Sequence, residues 1–273
     1  MSASLRAGSA AGGSDGGGGP VYVSPDVVVS VSAVEVYRGE VVTFDGSGSV
    51  DPRGGPLTYH WELGDGTTST QAVTDHAYTQ LGEFTAVFTA TTSEGTPTSD
   101  YVRVRVVNRP PVAVISSPAD GHTTYQCTNV SFAANGSNDA GDSAYGGQVA
   151  RYRWSYGDGS THVTTAAAGA HTRQYTRPSP DDGNDPFVVG LTVDDNDDGA
   201  STQVTRSVYV KNRVPHEPTI TAQVQNGPLI LGGSSYTGTK PLTVTFDATA
   251  SDPDGSCDTL FYEWDLGGGL TDT

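Results

Sequence analysis

At 273 residues, with 35% hydrophobic content, 35 glycines, 16 prolines and a single methionine, the chain has room for two or three small domains built from short strands and many turns. Its formal net charge of -17 excludes the basic patch that would release counterions from nucleic acid, and repels anionic membranes. No apolar run reaches the ~18 residues of a membrane span, and the two cysteines, Cys127 and Cys257, are too few for a disulfide framework and lack metal-ligand spacing.

Residues 1–24 form a Gly/Ser-rich segment expected to be flexible. It has one Arg and no apolar centre, so it is not a secretory signal. Its GGSDG at Gly12 to Gly16 fits a nucleophile-elbow pattern, but that pattern needs a strand before it and a helix after it, and neither is present.

From residue 25 onward one plan repeats. VTFDGSGSVDP (Val42 to Pro52) leads to YHW and then WELGDG at Trp61 to Gly66. GEFTAVFTATT follows, with Phe84, Ala86, Phe88 and Ala90 alternating against Thr85, Val87, Thr89 and Thr91. DYVRVRVV sets Val102, Val104 and Val106 against Arg103 and Arg105. A period of two describes strands buried on one face. The second copy runs through VSFAANGSNDA (Val130 to Ala140), YRW, WSYGDG at Trp154 to Gly159, PFVVGLTVDD and TRSVYVKN. The third has VTFDATASDPD (Val244 to Asp254), YEW and WDLGGG at Trp264 to Gly269. The tryptophans stand 93 and 110 residues apart, which is the size of a β-sandwich. Proline-bearing linkers NRPP and NRVP open after Asn108 and Asn212. The expected class is therefore all-β, with domains at 25–108, 109–212 and 213–273. The third lacks the two alternating strands that follow tryptophan in the others, so it is expected to be a partial domain in a piece of a longer protein.

Tyr59, Trp61 and Leu63 alternate with His60 and Glu62, which points the aromatics inward. The following G-D-G lets the chain leave the strand sharply, because glycine tolerates positive φ. The Asp between the glycines is expected to accept hydrogen bonds from turn amides. Trp61, Asp65, Trp154, Asp158 and Trp264 are thus read as a structural motif. No base or nucleophile recurs beside the acids, and Gly268 replaces the acid in the third copy. Losing a turn brace costs roughly 1 kcal/mol, whereas losing a site acid would leave a dead copy. No catalytic residue is assigned, and the chain is not expected to be an enzyme.

These residues resemble polycystic-kidney-disease (PKD) domains, a family of immunoglobulin-like β-sandwiches. The first copy carries the resemblance at Phe44, Asp45, Asp51, Pro52, Tyr59, Trp61, Gly64, Asp65, Gly66, His76, Tyr78, Gly82 and Phe84. Phe132, Asp139, Tyr152, Trp154, Asp158, Tyr175 and Phe187 carry it in the second, and Phe246, Asp247, Asp252, Tyr262 and Trp264 in the third. The resemblance implies tandem immunoglobulin-like sandwiches, the third truncated, used as extracellular spacers or binding modules. It implies no activity, because fold does not supply function.

In that topology the acidic loops of one repeat share an end of the domain. Asp139 stands in one loop and Asp194, Asp195 and Asp197 in another, while Asp252, Asp254 and Asp258 alternate in SDPDGSCD. Several oxygens on a curled loop suit calcium, the one cofactor these loops invite; solvated turn acids are the alternative. The topology also faces Cys127 toward Cys257 across a junction, so the two either pair or remain free or separately paired. His60, His76, His122, His162, His171 and His216 are scattered, and His76 and His171, just before Tyr78 and Tyr175, suit corner hydrogen bonds better than metal. Asn129 and Asn135 open glycosylation sequons of a kind that arises often by chance.

The leading expectation is a non-catalytic spacer or adhesion module at the cell surface or outside the cell. Its partners would be a protein or glycan surface and neighbouring domains of the same chain. Two alternatives stay open: the accessory region of a secreted protease or polysaccharide-degrading enzyme, and immunoglobulin-like domains of a virion or tail protein.

Overall fold

In the computed structural model the described residues are 3–6, 22–165, 169–224, 244–266 and 271–272, of which 3–6, 182, 224, 256, 271 and 272 are described by backbone alone. The GGSDG run and Gly268 lie outside them. The chain divides into two compact units: residues 1–111 with 139–148 and 195–199, and residues 112–138, 149–194 and 200–273. The units do not follow the repeat boundaries, since two loops of the second repeat belong to the first unit.

The first unit is a sandwich of two sheets. One takes the order β1 (Ala3–Arg6), β2 (Val28–Val31), β4 (Val41–Asp45), β7 (Val73–Ala77). The other takes β3 (Glu35–Tyr37), β9 (Pro97–Val107), β8 (Gly82–Thr92), β5 (Leu57–Glu62), β6 (Thr68–Ser69). The segment from Val28 to Tyr37 serves both: β2 pairs antiparallel with β4, and after Ser32–Val34 the chain crosses to pair β3 parallel with β9. Alternation in the sequence becomes alternation in burial. Ala86, Phe88 and Ala90 of β8, and Val102, Val104 and Val106 of β9, meet Val29, Val31, Val42 and Phe44 of the opposite sheet in one core. Apolar contact between such faces is the main stabilising term of a sandwich.

The second unit repeats the scheme. Its larger sheet runs β10 (His122–Tyr125), β16 (Val204–Lys211), β15 (Phe187–Asp195), β12 (Val149–Ser155), β13 (Thr161–Thr164), with β10 parallel to β16. The facing pair is β11 (Asn129–Phe132) with β14 (His171–Gln174). Phe132, Trp154, Tyr175, Phe187, Val189, Leu191, Val208 and Val210 fill the core. Two further pairings follow, β17 (Thr219–Val224) with β18 (Val244–Thr249), and β19 (Trp264–Asp265) with β20 (Thr271–Asp272). Phe246 of β18 is 45% exposed, where the equivalent Phe44 and Phe132 are 0% and 1% exposed. It touches Trp264 with ring centroids 5.9 Å apart. The architecture is all-β, two β-sandwiches in succession, and the described residues include a four-residue helix at Pro180–Gly183.

Candidate functional site

Trp61 and Trp154 are 0% and 1% exposed. Trp61 lies 4.6 Å from Phe88 and 5.4 Å from Phe44 between ring centroids, and Trp154 lies 5.6 Å from Phe132. Neither indole N–H has a hydrogen-bond partner, so both rings act as apolar filling. Trp264 is only partly buried.

The two glycines of each G-D-G have different reasons to be there. Gly64 and Gly157 have φ of 88° and 77°, and a Cβ would also meet Thr85 O at 2.7 Å or Val188 N at 2.6 Å. Gly66 and Gly159, both at φ 93°, face open space, so for them the left-handed backbone is the whole reason. The acid between is braced on both oxygens. Asp65 Oδ1 accepts Thr67 N–H at 3.0 Å and Oδ2 accepts His76 Nε2–H at 2.7 Å. Asp158 Oδ1 accepts Ser160 N–H at 3.0 Å and Ser160 Oγ–H at 2.5 Å, while Oδ2 pairs with Arg173. Burial raises both carboxyl pKa values, but the hydrogen bonds from Thr67 or Ser160 and the partner on the next strand outweigh it and hold both acids below the ordinary carboxylate range. The turn is closed by Tyr78, whose buried Oη–H donates to Leu63 O at 2.7 Å.

His171 does something else. Its Nδ1–H donates to Gly169 O at 2.8 Å, which leaves Nε2 to accept from Tyr156 Oη–H at 2.5 Å. The ring stacks on Phe132 at 5.3 Å. Burial pushes its pKa down, and His162 and Arg173 nearby push the same way. Both nitrogens are engaged, so neither is free for a metal.

The acidic loops separate into distinct surroundings. Asp194, grouped by sequence with its neighbours, turns away to Arg151 at 3.0 Å and Arg153 at 2.6 Å, because β15 alternates and successive side chains leave on opposite faces. Its carboxylate is thus occupied by two guanidinium groups. The rest of that loop lies in the first unit. Asp197 pairs with Arg38 Nη2 at 2.6 Å, and the same nitrogen reaches Asp142 at 3.2 Å. Asp195 is saturated by the Asp197 and Gly199 amides at 2.9 and 2.7 Å and by Asn108 Nδ2 at 2.6 Å. Asp139 is 5% exposed, yet neither carboxylate oxygen has a partner; Asp142 Oδ1 and Asn108 Oδ1 are likewise buried and unpartnered. Burial raises the Asp139 pKa, and the charges of Asp195, Asp142 and Asp197 raise it further. Among the described residues, no three His, Cys, Asp or Glu side chains are arranged to hold a metal ion.

In the second unit, Asp252 Oδ1 accepts the Asp254 amide at 2.6 Å, and its Oδ2 is buried without a partner. Asp254 Oδ2 accepts Arg213 N–H at 2.7 Å, with Oδ1 3.3 Å from Arg213 Nη1. Asp258 accepts from Gln126 Nε2 at 3.3 Å and from the Thr259 amide at 2.8 Å. Cys127 and Cys257 form a disulfide with Cα atoms 6.0 Å apart. Asn129 and Asn135 are both exposed.

Arg38, Asn108, Arg173 and Gln126 are absent from the sequence-derived set although they hold its acids. The signal for one of them, Asn108, was the linker itself: NR follows the last strand of each repeat, at Asn108-Arg109 and Asn212-Arg213.

Residues 23–106 match the family model "PKD domain". Over 90 residues the chain is 36% identical to Collagenase ColA of Clostridium perfringens, a match covering 33% of this chain and 8% of that protein. Over 72 residues it is 42% identical to a microbial collagenase of Vibrio alginolyticus, covering 26% of this chain and 9% of the relative. The matched stretch is thus a small fraction of either collagenase. Among solved structures, the PKD1 domain from the Vibrio cholerae metalloprotease PrtV is 25% identical with a TM-score of 0.27, covering 31% of this chain and 98% of that one.

Proposed function

From the premise that residues 23–106 are a PKD domain, we propose that this chain is a non-catalytic spacer and binding module serving as the accessory region of an extracellular hydrolase. The observation that carries the reading is the state of the recurrent acids. Asp65 and Asp158 are each spent on a turn amide and on a side-chain donor from the neighbouring strand, His76 or Arg173. An acid fixed this way stays ionised and has no reacting group beside it. The likeness to segments of collagenases favours the accessory role over free-standing adhesion or a virion component. A disulfide between Cys127 and Cys257 fits an oxidising compartment, and no described helix is long and apolar enough to cross a membrane.

The test is incubation of the purified chain with fibrillar collagen and, in parallel, with an insoluble polysaccharide. Retention on the collagen without release of peptides is the expected result. Peptide release by the chain alone would overturn the non-catalytic reading, and passage through both supports would restrict the role to spacing.

A second reading concerns calcium. Four buried side-chain oxygens without partners, two from Asp139 and one each from Asp142 and Asn108, lie in the first unit. Unpaired buried carboxylate oxygens are costly unless a cation or a proton compensates them, and an all-oxygen set suits calcium. Asp139, Asp142 and the Asn108 amide oxygen would be its holders. Titrating the intact chain with calcium in a calorimeter should give heat and a higher melting temperature. No heat and an unchanged melting temperature would remove calcium from the account.

A further inference from the structure

Two places in the chain are built from equivalent residues. In the first unit, β3 ends at Tyr37, and the Arg38 amide donates to Val107 O at 3.1 Å. The next residue, Gly39, has φ 81° and donates to Tyr78 O at 2.9 Å. The Arg109 guanidinium lies 4.3 Å over the Tyr37 ring, and its amide donates to Asp142 at 3.0 Å. Asp142 opens the short turn Ser143–Tyr145, which brings Tyr145 against Gly39.

The second unit repeats each step. β10 ends at Tyr125, the Gln126 amide donates to Lys211 O at 3.0 Å, and Cys127, at φ 57°, donates to Tyr175 O at 2.8 Å. Arg213 lies 4.4 Å over Tyr125, and its amide donates to Asp254 at 2.7 Å. Asp254 opens the short turn Gly255–Cys257. Cys127 therefore stands where Gly39 does, in a backbone region that residues other than glycine rarely adopt, and Cys257 stands where Tyr145 does. The glycine–tyrosine contact has become a disulfide.

The charges differ as well. Arg38 holds two carboxylates at 3.2 and 2.6 Å. Its counterpart Gln126 is neutral and makes bonds of 2.8 and 3.3 Å to Asn212 and Asp258.

We infer that these are one joint made in two chemistries, and that the second is a thiol–disulfide latch opened by a dithiol reductant while the first stays closed. A dithiol thiolate attacks one sulfur of the Cys127–Cys257 bond, and its second thiol resolves the mixed disulfide. The dithiol leaves as its cyclic disulfide, having given up two electrons, and Cys127 and Cys257 become thiols with its two protons. After reduction the loop 252–258 keeps its contacts to Arg213 and Gln126, and among the described residues it has no counterpart to the Arg38 double ion pair. A cysteine with φ near 57° then loses the covalent tie that helps offset its backbone strain and keeps the amide bond to Tyr175 O.

Hydrogen exchange read by mass spectrometry on the whole chain, with and without a dithiol, tests this. Non-reducing peptide mapping should first recover the Cys127–Cys257 link. On reduction, exchange in 252–258 and 125–127 should rise on the order of tenfold or more, with 37–40 and 139–145 unchanged. The variant Cys127→Gly/Cys257→Tyr, which installs the first joint's pair, should lose sensitivity to the dithiol. Equal exchange in both redox states, a rise at both joints, or no native link in the mapping would each overturn the latch.

Discussion

His76 Nε2 lies 2.7 Å from Asp65 Oδ2, and Arg173 takes the same place against Asp158. This partner sits two residues before the corner tyrosine, Tyr78 or Tyr175, so its strand delivers it to the G-D-G turn while the tyrosine goes to the core. Replacing Asp158 by Asn should lower unfolding free energy by about 1–3 kcal/mol, the range for charge-assisted hydrogen bonds, as read by urea denaturation.

The pH response follows from the direction of the shifts. Asp65 and Asp158 sit below their ordinary value of 3.8, so they contribute stability above that value and lose it as pH falls through their folded-state values. Thermal melts between pH 5 and 2 should show wild type losing stability more steeply than the Asp65→Asn/Asp158→Asn variant.

His171 gives a separate window. Its pKa is pushed below 6.5 by burial first and then by His162 and Arg173, so its contribution is complete above 6.5 and declines as pH falls through its lower folded value. His171→Phe, which preserves the stack on Phe132, should flatten the melting curve between pH 7 and 5 without altering the steep loss at lower pH.

Glycine substitution separates the two reasons for G-D-G. Gly64→Ala meets Thr85 O as well as an unfavourable φ, whereas Gly66→Ala meets only the φ. Gly66→Ala should cost about 1 kcal/mol, and Gly64→Ala clearly more, on the order of 2–3 kcal/mol. Paired chemical denaturation curves would rank them.

How far the sequence could be read depends on the range of the interaction. Alternation along Gly82–Thr92 is local, so the buried face of β8 was legible, as were the inward tryptophans. The partners of the acids were not, because they are far away in the chain: Arg38 meets Asp142 and Asp197 across 104 and 159 residues. Nor does a repeated residue type mark the partner of the turn acid, which is His in one copy and Arg in the other. The Arg151 and Arg153 partners of Asp194 were likewise not legible, because neighbouring strand side chains leave on opposite faces and adjacency in sequence hides it. The sequence left open whether Cys127 and Cys257 pair, and it carried no signal for the left-handed backbone at Cys127.

Arg38 offers a prediction at the first joint. Arg38→Gln, the residue of the second joint, leaves Asp142 and Asp197 without their cation, and Asp142 has no exposed surface. Breaking one side of a buried pair typically costs about 3–5 kcal/mol. Exchange protection in 139–145 and 195–199 should fall, and protection along β8 and β9 should hold.

The central claim is that the recurrent acid is a brace held by its partner on the neighbouring strand. A double-mutant cycle on Asp158→Asn and Arg173→Met, read by urea unfolding with tryptophan fluorescence, measures that coupling directly. The account predicts a coupling of about 1–2 kcal/mol at neutral pH that vanishes once Asp158 is protonated. Additive single-mutant effects with no coupling at neutral pH would contradict it.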